Sequence, residues 1–238
     1  MATPTTVLDN LAWHALSGPQ AELAERSENG RALRYQPKVS PICAVDQLDY
    51  EAWEGLAQVA SSKGYVSLFR DQIFGSAGDE LPGGRSHVFL ERASQYVATS
   101  LDEPPDLPFV ALGHEDADEM LALAKLTEPG PFAKKTYLTG AYVGLRRDGQ
   151  LIAMAGRRMH ANGWGEISAV CVHPSALREG LGAAVTLAAA AEISRSGDRP
   201  MLHVRPKNTA AHQLYLKLGF EVRRTIEVGI FRWTGGNG

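Results

Sequence analysis

Two residues of one short predicted helix, Asn208 and Tyr215, have side chains that could bind a ligand and react with it. They are seven positions apart, close to two turns of an α-helix, so both project from nearly the same face of a helix predicted over 208–218. An asparagine at a helix start can cap the first-turn amides, and a tyrosine hydroxyl can donate a proton. The pair favours a long, thin ligand along this face. Taken alone, Tyr215 is equally consistent with an amphipathic residue at the edge of the core.

A second candidate site lies upstream, where a predicted strand over 166–172 leads into a predicted helix over 180–196. Gly180 and Gly182 stand at the start of that helix, and Arg178 precedes them. Glycines there let backbone amides approach a phosphate, the helix N-terminus adds about half a positive charge, and the arginine adds a full one. The motifs of triphosphate loops and of dinucleotide folds are missing. The two glycines alone also fit an ordinary helix-start turn.

Together these segments resemble the GNAT superfamily of acetyl-CoA-dependent N-acetyltransferases over about residues 108–232. The family's loop motif, Q/R-x-x-G-x-G/A, falls on 177–182. The run over 164–174 looks most like the branch that includes glycine N-acyltransferase-like C-terminal domains. The loop departs from the motif at Leu177, and the carboxylate of Glu179 is expected to weaken phosphate binding. The helix motif N-x-x-A-x-x-L-Y-x-K-x-G-F is matched at every specified position, by Asn208, Ala211, Leu214, Tyr215, Lys217, Gly219 and Phe220.

The resemblance implies a binding role for each matched position. The main chain of one strand would pair with the pantetheine arm of acetyl-CoA like an added strand, and Asn208 would hydrogen-bond the pantetheine. Backbone amides of the loop would hold the pyrophosphate. The strand residues are Val170, Cys171 and Val172, and the loop residues are Arg178, Glu179, Gly180, Leu181, Gly182 and Ala183.

The resemblance also implies the catalytic residues. Tyr215 would stand near the thioester sulfur as general acid, since a phenol with a pKa near 10 can assist a thiolate whose pKa is near 8.5. Glu166 is the candidate general base, and a structural salt bridge at the strand end is an equal alternative. The expected reaction is direct transfer of acetyl from acetyl-CoA to the primary amine of a small molecule. A protein lysine or N-terminal acetyltransferase and a non-catalytic CoA-binding regulatory module remain alternatives.

These residues must be positioned by a mixed sheet. Apolar runs and turn signals predict the order β-β-β-α-β-α-β from 138 to 231, with a hairpin at Asp148-Gly149. The fold class is therefore α/β (α+β), with a mixed central sheet flanked by helices, and the resemblance implies that it is a GNAT fold. A proline-rich stretch over 100–108 suggests two domains. The resemblance implies a GNAT acetyltransferase domain over 104–238, preceded by an α/β domain of unknown role over 1–103, which is loosely similar to a degenerate GNAT-like copy.

The composition of the chain limits the binding partners and the cellular location that we expect. The net charge of −3 gives no general reason to bind nucleic acid or a membrane. Cys43 and Cys171 are far apart, and the histidines and cysteines lack the spacing of a metal site, so neither a disulfide framework nor a metal is expected. The sequence shows no signal peptide and no apolar run of about 18 residues. We therefore expect a cytoplasmic enzyme, and a homodimer is left open as its assembly.

Overall fold

A computed structural model describes residues 6–60, 65–73 and 87–232. These residues form eleven strands and five α-helices. The helices are α1 (Leu11–Leu16), α2 (Tyr50–Val59), α3 (Ala117–Thr127), α4 (Leu181–Arg195) and α5 (Thr209–Lys217). The strands are β1 (Ala24–Arg26), β2 (Ala32–Tyr35), β3 (Ile42–Val45), β4 (Val66–Arg70), β5 (His87–Ala98), β6 (Val110–Leu112), β7 (Tyr142–Arg147), β8 (Gln150–Ala161), β9 (Trp164–Val172), β10 (Arg199–Val204) and β11 (Phe220–Phe231).

All eleven strands belong to one sheet, in the order β1-β2-β3-β4-β11-β5-β10-β9-β8-β7-β6. The pairs β3–β4 and β9–β10 are parallel, and the other neighbours are antiparallel. The predicted mixed α/β sheet with flanking helices is thus confirmed. None of the helices in the described residues is long and apolar enough to cross a membrane.

The C-terminal elements follow the predicted order, from β7 through α5 to β11. The predicted hairpin joins β7 to β8, where Asp148 and Gly149 have φ of 51° and 81°. Such left-handed angles are what an Asp-Gly turn supplies. The apolar run over 138–145 predicts the first of these strands, but the strand begins at Tyr142, because residues Thr136–Thr139 form a 3-10 turn.

The two halves of the chain share the sheet and part of the core. Strand β5, which precedes residue 104, lies between β10 and β11. One buried cluster joins Leu11 and Ile42 to Met159, Met201 and Ile226. Sheet and core therefore continue across the predicted boundary. The division into 1–103 and 104–238, and the likeness of the first part to a degenerate copy, stay predictions.

Candidate active site

Two adjacent parallel strands separate near the middle of the sheet. β9 and β10 are paired from Trp164–Arg199 to Glu166–Met201 and no further. The other edge of β9 stays paired with β8 as far as Val172. On the side facing β10, the main chain after Glu166 therefore has no strand partner among the described residues. Unpaired strand edges offer donors and acceptors in a row, so this edge can bind an extended ligand.

A β-bulge in β9 changes the direction of this edge. Ala169 has a φ of 52°, which is unusual for a residue with a Cβ. Gly156 pairs with Ser168 and Met154 with Cys171, so Ala169 and Val170 together face the one intervening residue of β8. Bulges of this kind re-aim the groups that follow them. Of the predicted ligand-binding positions on β9, Val170 lies in the bulge, and Cys171 and Val172 follow it.

The gap between β9 and β10 opens into a cavity of about 540 Å³, which we call the splay cleft. The helix α5 forms one wall, and its Asn208 side chain caps it by accepting a hydrogen bond from the Ala211 amide at 3.1 Å. The predicted N-cap is therefore confirmed. The cleft brings together four of the predicted site residues, namely Glu166, Val170, Asn208 and Tyr215.

Tyr215 lines the splay cleft and is 8% exposed. Its ring packs against those of Tyr96 and Phe220, and its hydroxyl makes no hydrogen bond to the described residues. Burial, and next the nearby Cys171, raise the pKa of Tyr215 to about 12. The phenol is therefore protonated at neutral pH and has a proton to donate. Cys171 is itself buried, and burial raises the pKa of its thiol to about 12, so it is poorly suited to act as a nucleophile.

Glu166 is fully buried beneath the same cleft. Its carboxylate accepts hydrogen bonds from Arg158 Nε at 2.9 Å, Arg158 Nη2 at 2.6 Å and His203 Nδ1 at 2.7 Å. Burial alone would raise the pKa of Glu166, but the Arg158 guanidinium and His203 outweigh it and hold that pKa at about 2. The salt bridge that the sequence left as an alternative is present. Such a weakly basic carboxylate is poorly matched to removing a proton from an amine.

The partners of Glu166 belong to a buried polar chain that reaches the N-terminal segment. Arg223 donates to Gln95 Oε1 at 2.7 Å, which fixes the orientation of that amide. Gln95 Nε2 lies 3.0 Å from His203 Nε2 and also donates to the Leu8 carbonyl. His203 therefore accepts at Nε2 and carries its proton on Nδ1, which faces Glu166. Sequence reasoning missed this chain, although a histidine within the apolar run of β10 was a signal.

The start of α4 is the predicted phosphate site. Gly180 is its N-cap, with a φ of 78° and no capping side chain. The amides of Leu181, Gly182 and Ala183 donate no hydrogen bond to the described residues, so they are available to an anion. Arg178 precedes them, also with a left-handed φ of 67°.

The carboxylate of Glu179, predicted to oppose an anion here, is paired with Arg147. One hydrogen bond of this exposed pair, from Nη1 to Oε1, measures 3.3 Å. The Arg147 guanidinium also lowers the pKa of Glu179. Because Arg147 lies on β7, 32 residues before Glu179 in the sequence, the loop motif alone does not show that Glu179 is paired.

A second cavity, of about 230 Å³, joins the splay cleft from the side. We call it the side cavity. The two share Glu91, Pro129, Arg158, His203 and Arg205. Apolar residues from β4, β5 and β11 line it, together with residues 129–131. Within the described part of the chain no group of three histidine, cysteine or acidic residues is arranged to hold a metal ion.

Comparison with known proteins gives consistent matches. The family described as FR47-like protein matches residues 142–228. A mycothiol acetyltransferase from Thermobispora bispora is 40% identical over 89 residues, which are 34% of this chain and 30% of that protein. The chain's match thus spans less than a third of that relative's length.

Solved structures match over nearly the whole chain. One from Novosphingobium aromaticivorans, described as an acetyltransferase of the GNAT family, is 32% identical with a TM-score of 0.86, covering 97% of this chain and 100% of that one. A GCN5-related N-acetyltransferase from Kribbella flavida is 18% identical, with a TM-score of 0.62 over 95% of each chain. The second likeness concerns the fold alone.

Proposed function

The chain belongs to the GNAT family of acetyltransferases, and on that basis we propose that it transfers an acetyl group from acetyl-CoA to the primary amine of a small molecule. The observation that carries the proposal is the unpaired edge of β9, which runs between the open N-terminus of α4 and the buried Tyr215. An extended ligand with an anion near one end matches this arrangement. Acetyl-CoA has that form, with a pyrophosphate and a thioester joined by the pantetheine arm.

The residues present fit such a ligand. The amides of Leu181, Gly182 and Ala183 would hold the pyrophosphate, with Arg178 nearby. Residues Val170, Cys171 and Val172 would pair through their main chain with the pantetheine amides. The Asn208 oxygen is already used as a helix cap, so its side-chain NH2 group is the part that would contact the ligand. When bound, the thioester supplies an activated acetyl group.

Tyr215 would act on the departing sulfur. The acceptor reacts as the neutral amine, after its ammonium group has released one proton to solvent. As the amine nitrogen bonds to the acetyl carbon and the carbon–sulfur bond breaks, the phenol donates a hydrogen bond to the developing thiolate, and the second proton lost by the nitrogen passes to that sulfur. A pKa of about 12 lies above the thiol's 8.5 or so, which favours hydrogen-bond donation over complete proton transfer. A backbone amide near Val170 or Val172 would stabilise the oxyanion. The surroundings of Glu166 favour a positioning role over that of the base.

The acceptor is proposed to be small because the side cavity is small. Its volume of about 230 Å³ is below the roughly 300–1,000 Å³ of pockets for drug-sized ligands. A protein lysine would call for a longer open groove. This observation favours a metabolite-sized amine over a protein substrate.

The test is calorimetry with acetyl-CoA and CoA, followed by free-thiol release across a panel of amines. We expect binding of both ligands and amine-dependent thiol release. Tight CoA binding without thiol release on any amine would instead favour a CoA-binding regulatory module. Failure to bind either ligand at high micromolar concentration would exclude the acetyltransferase proposal.

A further inference from the structure

Glu91 stands where the splay cleft meets the side cavity, and it lies outside the sequence motifs of the family. We propose that Glu91 binds the ammonium group of the acceptor, and that the acceptor is an apolar monoamine whose body fills the side cavity. This inference rests on the proposed acetyl transfer and adds the chemical class of the acceptor to it. It follows from the position of Glu91, its weak pairing and the composition of the cavity.

The position of Glu91 differs from that of the other carboxylates near the site. Glu91 lines both cavities, whereas Glu128 and Glu166 line only the splay cleft. An amine held at the junction could face Tyr215 across the splay cleft while its substituent occupied the side cavity. Among the described residues, Glu91 is thus the acidic group that lines both cavities.

The carboxylate of Glu91 also keeps capacity to bind a ligand. Among the described residues its one partner is Arg205, whose Nε lies 3.5 Å away, which is beyond the usual range for a charged hydrogen bond. The Arg205 side chain is 60% exposed and that of Glu91 is 22% exposed. Such loose, partly exposed pairs contribute little to stability. An incoming ammonium can therefore replace the guanidinium at little cost, whereas Glu166 is held by three short hydrogen bonds.

The walls of the side cavity determine the rest of the acceptor. Tyr65, Phe69, Val228 and Ile230 present aromatic and aliphatic surface. Glu91 is the one carboxylate that lines this cavity among the described residues, and Arg158, Arg205 and Arg232 line it as well. A second ammonium group on the acceptor would find no further carboxylate among the described residues that line this cavity. The cavity therefore selects for one positive charge and an apolar body.

The test measures thiol release with four apolar amines and two polyamines. Phenethylamine and isoamylamine carry an ammonium alone, phenylalanine and leucine add a carboxylate, and putrescine and spermidine add further cations. We expect the apolar amines to have kcat/KM at least tenfold above the polyamines. If phenylalanine and leucine have a higher kcat/KM than phenethylamine and isoamylamine, Arg205 binds their carboxylate. If their kcat/KM is lower, Arg205 does not bind the acceptor. Both preferences support the apolar monoamine. A preference for polyamines would overturn it.

The variant Glu91→Gln tests the residue. We expect KM for the best amine to rise about tenfold to hundredfold, because the ammonium group loses the negative charge of its acceptor and keeps only a neutral amide oxygen. CoA affinity by calorimetry should be unchanged. Glu91→Asp keeps the charge and should lie between wild type and Glu91→Gln. The matched control is Glu115→Gln, an exposed carboxylate in a 3-10 turn outside both cavities, which should leave KM unchanged.

Two failures remain distinguishable. Wild-type protein that binds CoA and releases no thiol with any amine contradicts the proposed function. Wild-type protein that acetylates amines, with Glu91→Gln and Glu91→Asp retaining the wild-type KM, contradicts the role of Glu91 alone. Loss of CoA affinity in Glu91→Gln would show a folding defect in that variant. The KM of Glu91→Asp would then be the test: a raised KM supports the role of Glu91, and a wild-type KM contradicts it.

Discussion

At the scale of single residues, the surroundings of Tyr215 leave its hydroxyl without a partner in the described chain although the ring is buried. The hydroxyl is not one of the fully buried polar atoms that lack a partner among the described residues. Tyr215 lines the splay cleft, where a ligand can supply the partner of its hydroxyl. This arrangement is consistent with a group held ready for the sulfur of a bound thioester.

The change Tyr215→Phe should lower kcat about tenfold to hundredfold, because one hydrogen bond to a developing charge is lost. The dissociation constant for CoA should stay within about twofold of wild type, since the ring contacts remain. Steady-state thiol release and calorimetry would measure the two quantities. Unchanged turnover would remove Tyr215 from the chemistry.

Glu166 and Arg158 form a buried ion pair, and removing one partner leaves the other charge uncompensated. For Glu166→Gln we expect a loss of about 3–5 kcal/mol in the free energy of unfolding, measured by denaturant titration. The folded pKa of about 2 lies below the unfolded value of about 4.3. The carboxylate's contribution is therefore present above about pH 4.3 and is lost as pH falls towards 2.

The stability difference between wild type and Glu166→Gln should accordingly shrink over that acidic range. Glu22→Gln, a change at an exposed carboxylate, is a suitable control and should leave stability within about 0.5 kcal/mol of wild type. A Glu166→Gln protein as stable as wild type at pH 7 would show that the ion pair contributes little.

At the scale of elements, the start of α4 must serve both the helix and an anion. A negative charge just before a helix N-terminus stabilises the helix but competes with a phosphate. Glu179 has this position, and Arg147 from β7 compensates its charge. The loop is therefore balanced between helix stability and ligand affinity.

Replacing Glu179 with Gln should move the two properties in opposite directions. We expect CoA affinity to rise by up to about fivefold, because a carboxylate beside the anion site is removed and Arg147 loses its partner, and the melting temperature to fall slightly. The gain should diminish as salt is added. Glu192→Gln, near the other end of α4, should leave CoA affinity unchanged. Equal affinity in both variants would show that Glu179 does not affect the anion site.

The elements with regular patterns could be predicted from sequence, and the others could not. The residues 117–126 show helical spacing of apolar side chains and predict a helix, and α3 spans Ala117–Thr127. The apolar run over 87–90 predicts only the start of β5, since polar residues such as Glu91 and Gln95 interrupt it. Tertiary contacts with β10 and β11 on its two sides extend it to Ala98. The predicted glycine-rich segments at 75–78 and 82–84 lie outside the described residues.

The residues of the candidate site also fall into those that a local sequence pattern predicts and those that it does not. Asn208, Tyr215 and the loop of Gly180 could be predicted because the motif and the helical spacing are local. Glu91 and His203 could not, because they meet only when β5 and β10 become neighbours, more than 100 residues apart along the chain. A single sequence carries no direct signal for that strand order.

At the scale of the whole molecule, one sheet contains strands from both sides of the proline-rich stretch over 100–108. β5 separates β10 from β11, and a fragment over 104–238 would lack it. We expect this fragment, expressed alone, to be unfolded, with circular dichroism and urea titration showing no cooperative transition. The full chain should unfold in a cooperative manner under the same conditions. A fragment that folds and binds CoA would establish 104–238 as an independent domain.

The place of β11 has a consequence for synthesis on the ribosome. β4 is complete by residue 70, yet its antiparallel neighbour β11 begins at Phe220. About 150 residues are therefore translated while one edge of β4 has no strand paired with it. Long-range strand pairing is slow, and uncovered edges invite pairing with other chains. The nascent chain is therefore most exposed to misassociation before β11 leaves the ribosome, and its final sheet closes only after translation of nearly all the residues described.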